Sequence, residues 1–276
     1  MKPSTNIHTF CVPAYGESQY LDDCLSSLKK QTVSSDVIVT TSTPNHHIRQ
    51  IANKYDFLCL SSLQTPGIGR DWNFAIHSAR TQLVTIAHQD DVYHETYAEK
   101  FMAAHRKYPN AAIYFSNLGQ IIDEKKQNIN TVIALKRLLI APFWLSRKIE
   151  SGILLRMVLS LGDPIPCGSV MLNRRRLPQT FGFDETLKTN LDWLAWLNIL
   201  ENRGCFVRIP EILYYHRVHS DSETARGILR NDRYAEDLMI FEKLWGKTAA
   251  RLLMKFYRLS HLLNKMQTSG QSINKK

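Results

Sequence analysis

Short apolar runs alternate with amphipathic stretches through the first 115 residues. Residues 8–14 (His-Thr-Phe-Cys-Val-Pro-Ala) predict a short buried strand ending at Pro13. Over 17–30, Leu21, Cys24, Leu25 and Leu28 fall on one helical face. Further strands are expected at 36–41, 57–60, 83–87 and 111–115. Helices are expected at 45–55, 71–79 and 93–108, with a Pro-Gly turn at 66–69.

Strict alternation of strand and helix predicts an α/β fold whose mostly parallel central sheet is flanked by helices on both faces. In such sheets ligands bind beyond the carboxyl ends of the strands. The polar residues just after the second and fourth strands then fall at the expected cleft. After 116 the pattern changes. Residues 131–161 mix Lys136, Arg137, Arg147, Lys148 and Arg156 with Leu, Ile, Phe and Trp, and predict an amphipathic helix. Strands are expected at 167–172 and 205–215, a helix at 192–202, and a basic helical stretch from about 224 that includes Arg251 to Lys265.

Composition adds little to the fold but narrows the function. The 276 residues are 44% hydrophobic and 22% charged, as in an ordinary globular protein. No run of 18 apolar residues exists, and the N-terminus lacks the apolar core of a signal peptide. Five scattered cysteines without a CxxC pair argue against a zinc site or a disulfide framework and fit a cytoplasmic location. The formal charge of +10 admits nucleic acid, an anionic membrane face, phosphorylated substrates, or a merely solubilising surface. The clustered basic and aromatic signature of common RNA-binding folds is absent, so a nucleic-acid partner is not expected.

Four places carry candidate chemistry. Asp90-Asp91 closes a buried strand; two adjacent carboxylates there need a counter-charge, which Mg²⁺ or Mn²⁺ with diphosphate oxygens would supply. Asp91 would equally serve as a helix N-cap. Asp192, beside Trp193 and Trp196, is a candidate general base or another N-cap. In His216-Arg217-Val218-His219, Arg suits phosphate and His suits a metal. Pro66-Gly67-Ile68-Gly69 is too short for a dinucleotide fingerprint, and no P-loop is present.

Taken in order, the motifs resemble a family 2 glycosyltransferase of the GT-A nucleotide-sugar fold, over roughly residues 8–220. The residues carrying the resemblance are Val12-Pro13-Ala14-Tyr15-Gly16-Glu17 with Tyr20-Leu21, Cys24-Leu25, Ser27-Leu28 and Gln31-Thr32; Gly67 through Asn73; His88-Gln89-Asp90-Asp91; Cys167 through Met171; Phe181 through Glu185; and Leu191-Asp192-Trp193. It implies a glycosyltransferase domain over 1–222, with a donor half to about 118 and an acceptor half over 119–222. A basic helical extension over 223–276 would follow.

The resemblance also implies a metal-dependent, inverting transfer of a hexose-type sugar from a nucleotide-diphosphate sugar, with a UDP-sugar as the leading donor. Donor binding falls to Pro13, Tyr15, Glu17, Thr41, Ser42, Arg70, Asn73, His88, Gln89, Asp90 and Arg217. Asp90, Asp91 and His219 would ligate Mn²⁺ or Mg²⁺. Asp192 would take the proton from the acceptor hydroxyl, with Gly168, Ser169 and Trp193 on the acceptor side. The acceptor would be a saccharide or polyprenyl-linked saccharide in bacterial surface polysaccharide biosynthesis, and the basic apolar segment would suit an anionic membrane at the inner face. Two departures stand out: Val39-Thr40-Thr41-Ser42-Thr43 has no carboxylate where the family carries one, and His88 replaces the first Asp of the metal motif. They leave a catalytically impaired nucleotide-sugar or carbohydrate binding protein as the alternative.

Overall fold

The computed structural model describes residues 6–220, 222, 227 and 232–255. Strands β1 (His8–Pro13), β2 (Asp36–Thr41), β3 (Leu58–Ser61) and β4 (Leu83–Ile86) pair in parallel in the order β3-β2-β1-β4. Helices α1 (Leu21–Lys29), α2 (His46–Lys54) and α3 (Ile68–Ser78) make the crossovers. Phe10, Cys11 and Val12 of the central β1 are fully buried, because a strand covered on both faces has no solvent side. Their alternation still separates two cores: Phe10 and Val12 pack with Leu21, Leu25 and Ile48, whereas Cys11 packs with Trp72, Ala75 and Ile76.

The second half departs from a purely parallel sheet. β5 (Val92–Tyr93) and α4 (Tyr97–Lys107) occupy the stretch expected to be one helix over 93–108. Pairing of Tyr93 with Tyr214 pulls those first residues into the sheet. The expected strand at 111–115 runs on as β6 (Ile113–Ile122), followed by β7 (Lys125–Gln127). β9 (Val170–Asn173) inserts antiparallel between β4 and β6, and β10 (Phe206–Arg217) lies parallel to β6. The order is therefore β3-β2-β1-β4-β9-β6-β10-β5.

The single amphipathic helix expected over 131–161 is broken into α5 (Thr131–Leu139), α6 (Pro142–Leu145), the short strand β8 (Lys148–Ile149) and α7 (Gly152–Leu159). Pro142 opens α6, where its missing N–H costs nothing but a longer helix could not pass. Ser151 caps α7 through the Leu154 amide.

α8 (Leu191–Glu201) carries Trp193 and Trp196 into the same core. α9 (Asp232–Trp245) and the helical stretch 247–255 follow, with Ile240, Phe241, Ala250 and Met254 buried there too. The part of the expected terminal helix beyond 255 lies outside the described residues.

Candidate active site

The topology gathers the chemistry at one edge. β1, β2, β4, β6 and β10 all point the same way, and β9 runs against them. The turn after β4, the end of β10 and the beginning of β9 therefore meet. His88 to Asp91, His216 to His219 and Cys167 come from these three places.

Asp91 sits at the bottom, fully buried. One carboxylate oxygen accepts from the Arg217 amide at 2.9 Å and lies 3.1 Å from His216 Nδ1. The other accepts from the Tyr214 hydroxyl and lies 3.3 Å from His88 Nδ1. Burial raises the pKa of Asp91, but the charge of His216 and hydrogen bonds from both imidazoles outweigh it and hold the carboxyl below its usual range. Burial likewise lowers His88 and His216, yet the hydrogen bond and charge of Asp91 drive both net upward. Both oxygens of Asp91 are thus committed to protein partners. The expectation that it ligates a metal gives way to a buried staple between the β4 turn and β10, and it does not cap α4.

Asp90 faces the other way. Its Oδ2 lies 2.9 Å from His219 Nε2, and the His219 ring packs on Tyr20. Arg217 is 3% exposed, and its guanidinium is spent: Nε donates to the Asp90 carbonyl, Nη1 to Glu124 and Nη2 to Asp23, and the group lies over the Tyr20 ring. The phosphate contact expected of Arg217 is replaced by a clamp that fixes the backbone of Asp90.

At the ends of β1 and β2 the Gln89 amide brackets the backbone of half-exposed Tyr15, accepting from its N–H and donating to its carbonyl. Thr41 is buried, and its hydroxyl accepts from the Thr43 amide; Thr43 in turn accepts from the Gly16 amide. Pro13 and Glu17 lie at the same end, the first half-buried and the second exposed. Asp71 of α3 brings a carboxylate near Ser42, just after β2. Burial pushes its pKa up, opposed by the nearby Ser42 hydroxyl, the Gly67 amide and Arg70. No motif marks Asp71, which lies 29 positions from Ser42 in sequence; its place in the first turn of α3 is the available signal.

Among the described residues, five buried side-chain polar atoms have no protein partner of normal geometry: Thr40 Oγ1, Ser42 Oγ, His88 Nε2, His219 Nδ1 and Arg137 Nε. The first four belong to this edge. Buried polar groups are rarely left unpaired except where something else is bound.

Asp192 is joined to the segment just ahead of β9. It occupies the first turn of α8 and is not its N-cap; that position is Asn190. Asp192 Oδ2 accepts from the Cys167 amide at 3.1 Å and Oδ1 from the Trp193 amide at 3.0 Å. The Cys167 thiol is pushed well up by burial and by the charges of Asp192, Asp163 and Asp91. The N-terminal turn of α8 is held from outside: Glu236 of α9 accepts from the Lys188, Thr189 and Asn190 amides and from the Thr189 hydroxyl.

Several expected contacts are not available to a ligand. Gly168 packs against the Tyr214 ring, where an added Cβ would come within 2.4 Å. Ser169 is fully buried and donates to the Pro166 carbonyl. Trp193 is 1% exposed, with its indole N–H on the Leu159 carbonyl. These three are core, not acceptor surface. Asn73 spends its amide on Phe183 and Glu185, fastening α3 to the 181–185 segment, and Arg70 is tied to the Thr65 and Pro66 carbonyls. His88 stacks on Trp72 at 5.0 Å.

The donor set suits a hard divalent cation only in part. Asp90 and His219 offer one oxygen and one nitrogen side by side, and among the described residues no group of three or more His, Cys, Asp or Glu is arranged to hold a metal. Diphosphate oxygens would have to complete such a shell.

Comparison with known proteins agrees with this architecture. The model of the family described as glycosyl transferase family 2 matches residues 9–178. No curated protein matches the chain. Among solved structures, S. aureus TarS 1–349 is similar at 16% identity and a TM-score of 0.60, over 84% of this chain and 64% of that one. The chain thus spans less than two thirds of that relative. TarS 1–349 in complex with UDP-GlcNAc matches at 17% identity and 0.58, over 87% and 72%. Mannosyltransferase PcManGT from Pyrobaculum calidifontis, in complex with GDP-Man and Mn²⁺, matches at 16% identity and 0.57, over 90% and 72%. With more than half of its length matched by the family model, and the fold shared with these structures, this chain belongs to glycosyl transferase family 2 and has the GT-A fold.

Proposed function

We propose that the protein transfers a sugar from a nucleoside-diphosphate sugar to an acceptor hydroxyl with inversion of configuration. The observation that carries this reading is the common edge of the sheet, where the Asp90–His219 pair lies beyond the ends of β4 and β10 and the Asp192 carboxylate accepts from the Cys167 amide just ahead of β9. Asp192 would accept the proton of the attacking hydroxyl. Asp90 and His219 would hold Mn²⁺ or Mg²⁺, which when bound supplies charge neutralisation for the diphosphate. The nucleoside would lie beside Tyr15, Thr41, Ser42 and Asp71. Complexes of the similar proteins with UDP-GlcNAc and GDP-Man support a nucleotide-sugar donor.

We propose further that the acceptor is lipid-linked, as in the building of surface polysaccharide. Leu135, Leu138, Trp144, Leu145, Ile153 and Met157 of α5 to α7 are exposed, Leu145 at 95% and Ile153 at 76%. Arg137, Arg147 and Arg156 are interspersed. Exposed apolar side chains among cations fit an anionic bilayer surface. No helix among the described residues is long and apolar enough to cross a membrane.

The test is a thermal-shift screen of UDP, GDP and their sugars with Mn²⁺, followed by turnover of Asp192→Asn. Stabilisation by one nucleotide, with turnover lost in the variant by a factor of roughly 10²–10⁴, supports the reading. Full turnover in Asp192→Asn refutes the assigned base. Nucleotide-sugar binding with no turnover by the unaltered protein, against a lipid-linked acceptor panel, would favour a binding protein instead.

A further inference from the structure

The fifth unpartnered polar atom, Arg137 Nε, does not belong to the active-site edge. Arg137 stands four residues after Ile133 and three before Ile140, both buried, so it shares the face that α5 turns to the core. Its Nη2 donates to the Asn128 carbonyl at 2.9 Å, while its buried Nε has no acceptor. Arg208 of β10 belongs to the same part of the molecule: it pairs with Phe115, on which Phe143 of α6 packs at 4.9 Å. The Arg208 amide donates to the Arg147 carbonyl at 2.7 Å, and its Nε and Nη2 both donate to Asn117 Oδ1, at 3.1 and 3.0 Å. The charges of Arg137 and Arg147 both bear on Arg208. Among the described residues none of the three has a carboxylate partner, and Glu150, close to Arg147 in the chain, is held by Lys148 at 2.8 Å. Arg217, by contrast, meets both Asp23 and Glu124. Like charges gathered at a half-buried place with neutral partners only are costly until an anion joins them.

We infer that Arg137, Arg147 and Arg208 form an oxyanion site for the phosphate group of a membrane lipid. Planar guanidiniums with N–H groups to spare suit phosphate oxygens, which they bind two at a time. Exposed Leu138 follows Arg137 directly, and exposed Trp144 and Leu145 stand just ahead of Arg147. Cationic and apolar surface are therefore adjacent, as the phosphate and the chains of a lipid are. The inference rests on the proposed membrane contact of α5 to α7. It adds that this contact recognises the phosphate of the headgroup and not its charge alone.

The deciding measurement is sedimentation of the full chain with two kinds of vesicle of equal surface charge. One is phosphatidylcholine doped with phosphatidic acid, the other phosphatidylcholine doped with oleate. The phosphate-bearing vesicles should be favoured roughly tenfold, and Arg208→Lys, which keeps the charge but loses the planar fork, should remove that preference. Equal binding to both kinds by the unaltered protein overturns the inference and leaves the membrane contact standing. So does a preference that survives in Arg208→Lys and in Arg137→Gln alike. Sedimentation with neither kind removes the membrane contact and the inference together. Thermal melts in inorganic phosphate and in chloride at equal ionic strength give a second readout without vesicles. Phosphate should raise the melting temperature of the unaltered protein above its value in chloride, and should do so less for Arg208→Gln. In chloride, Arg137→Gln should melt about 2 °C higher than the unaltered protein, because repulsion between the guanidiniums is relieved. Lower melting of both glutamine variants would mean that the guanidiniums hold the fold together, and would refute the proposal. Stabilisation by inorganic phosphate without any vesicle preference would assign the site to a free anion and refute the lipid.

Discussion

The hydroxyl of Tyr214 donates to the buried carboxylate of Asp91, and through that bond β10 is fastened to the turn after β4. The adjacent carboxyl, Asp90, faces His219 on the other side of the turn. Neighbours in sequence have separate tasks, and variants should separate them. Asp91→Asn leaves a buried donor among donors and should destabilise the fold by about 3–5 kcal/mol. Tyr214→Phe should cost about 1–3 kcal/mol. Asp90→Asn should melt near the unaltered protein but lose Mn²⁺-dependent nucleotide binding. Calorimetric titration and thermal melts check these outcomes, and equal melting of the Asp90 and Asp91 variants would contradict the division.

Acid should weaken the fold through His8. This imidazole is fully buried between the Ser35 and Thr85 hydroxyls, which satisfy it without a charge, and burial lowers its pKa to about 3. Because the unfolded chain binds the proton more readily, the stabilisation is whole above about pH 6.5 and is lost as pH falls toward 3. The effect amounts to at most about 5 kcal/mol. Denaturant unfolding of His8→Asn should show a flatter dependence between pH 6 and pH 4. A slope equal to that of the unaltered protein would exclude His8 as the source.

Glu236 of α9 receives four donors from residues 188–190, just ahead of Asp192. Glu236→Ala should destabilise by about 1–3 kcal/mol, since it strands those buried donors. It should also lower kcat while leaving nucleotide affinity unchanged, because Asp192 loses its support and the nucleotide end does not. Altered nucleotide affinity with unaltered kcat would show that α9 serves the other end of the cleft.

The exposed apolar residues of α6 give a separate check. Trp144→Asp with Leu145→Asp should abolish sedimentation with vesicles containing anionic lipid and leave thermal stability within about 0.5 kcal/mol, since both side chains face solvent. Undiminished sedimentation would clear this surface of membrane binding. Concentration-dependent self-association of the unaltered protein, lost in the variant, would assign the face to a second copy.

The sequence by itself determined the donor half. Strands β1 to β4 and helices α1 to α3 are legible because each is a short segment whose apolar period is set by neighbours two or four residues away. The ordered motifs also pointed to the family and to Asp90 and Asp192 at one cleft. Only the tertiary structure decided what the other residues do. The antiparallel insertion of β9 depends on pairing between segments some 60–90 residues apart, which no local period encodes. Whether a polar side chain faces a ligand or the core depends on what covers it. Arg217 and Asn73 look like ligand contacts along the chain, but Asp23, Glu124 and Phe183 reach them from far away in sequence and use their hydrogen bonds. Asp71 and Glu236 carry no motif, and each meets its partners only through folding.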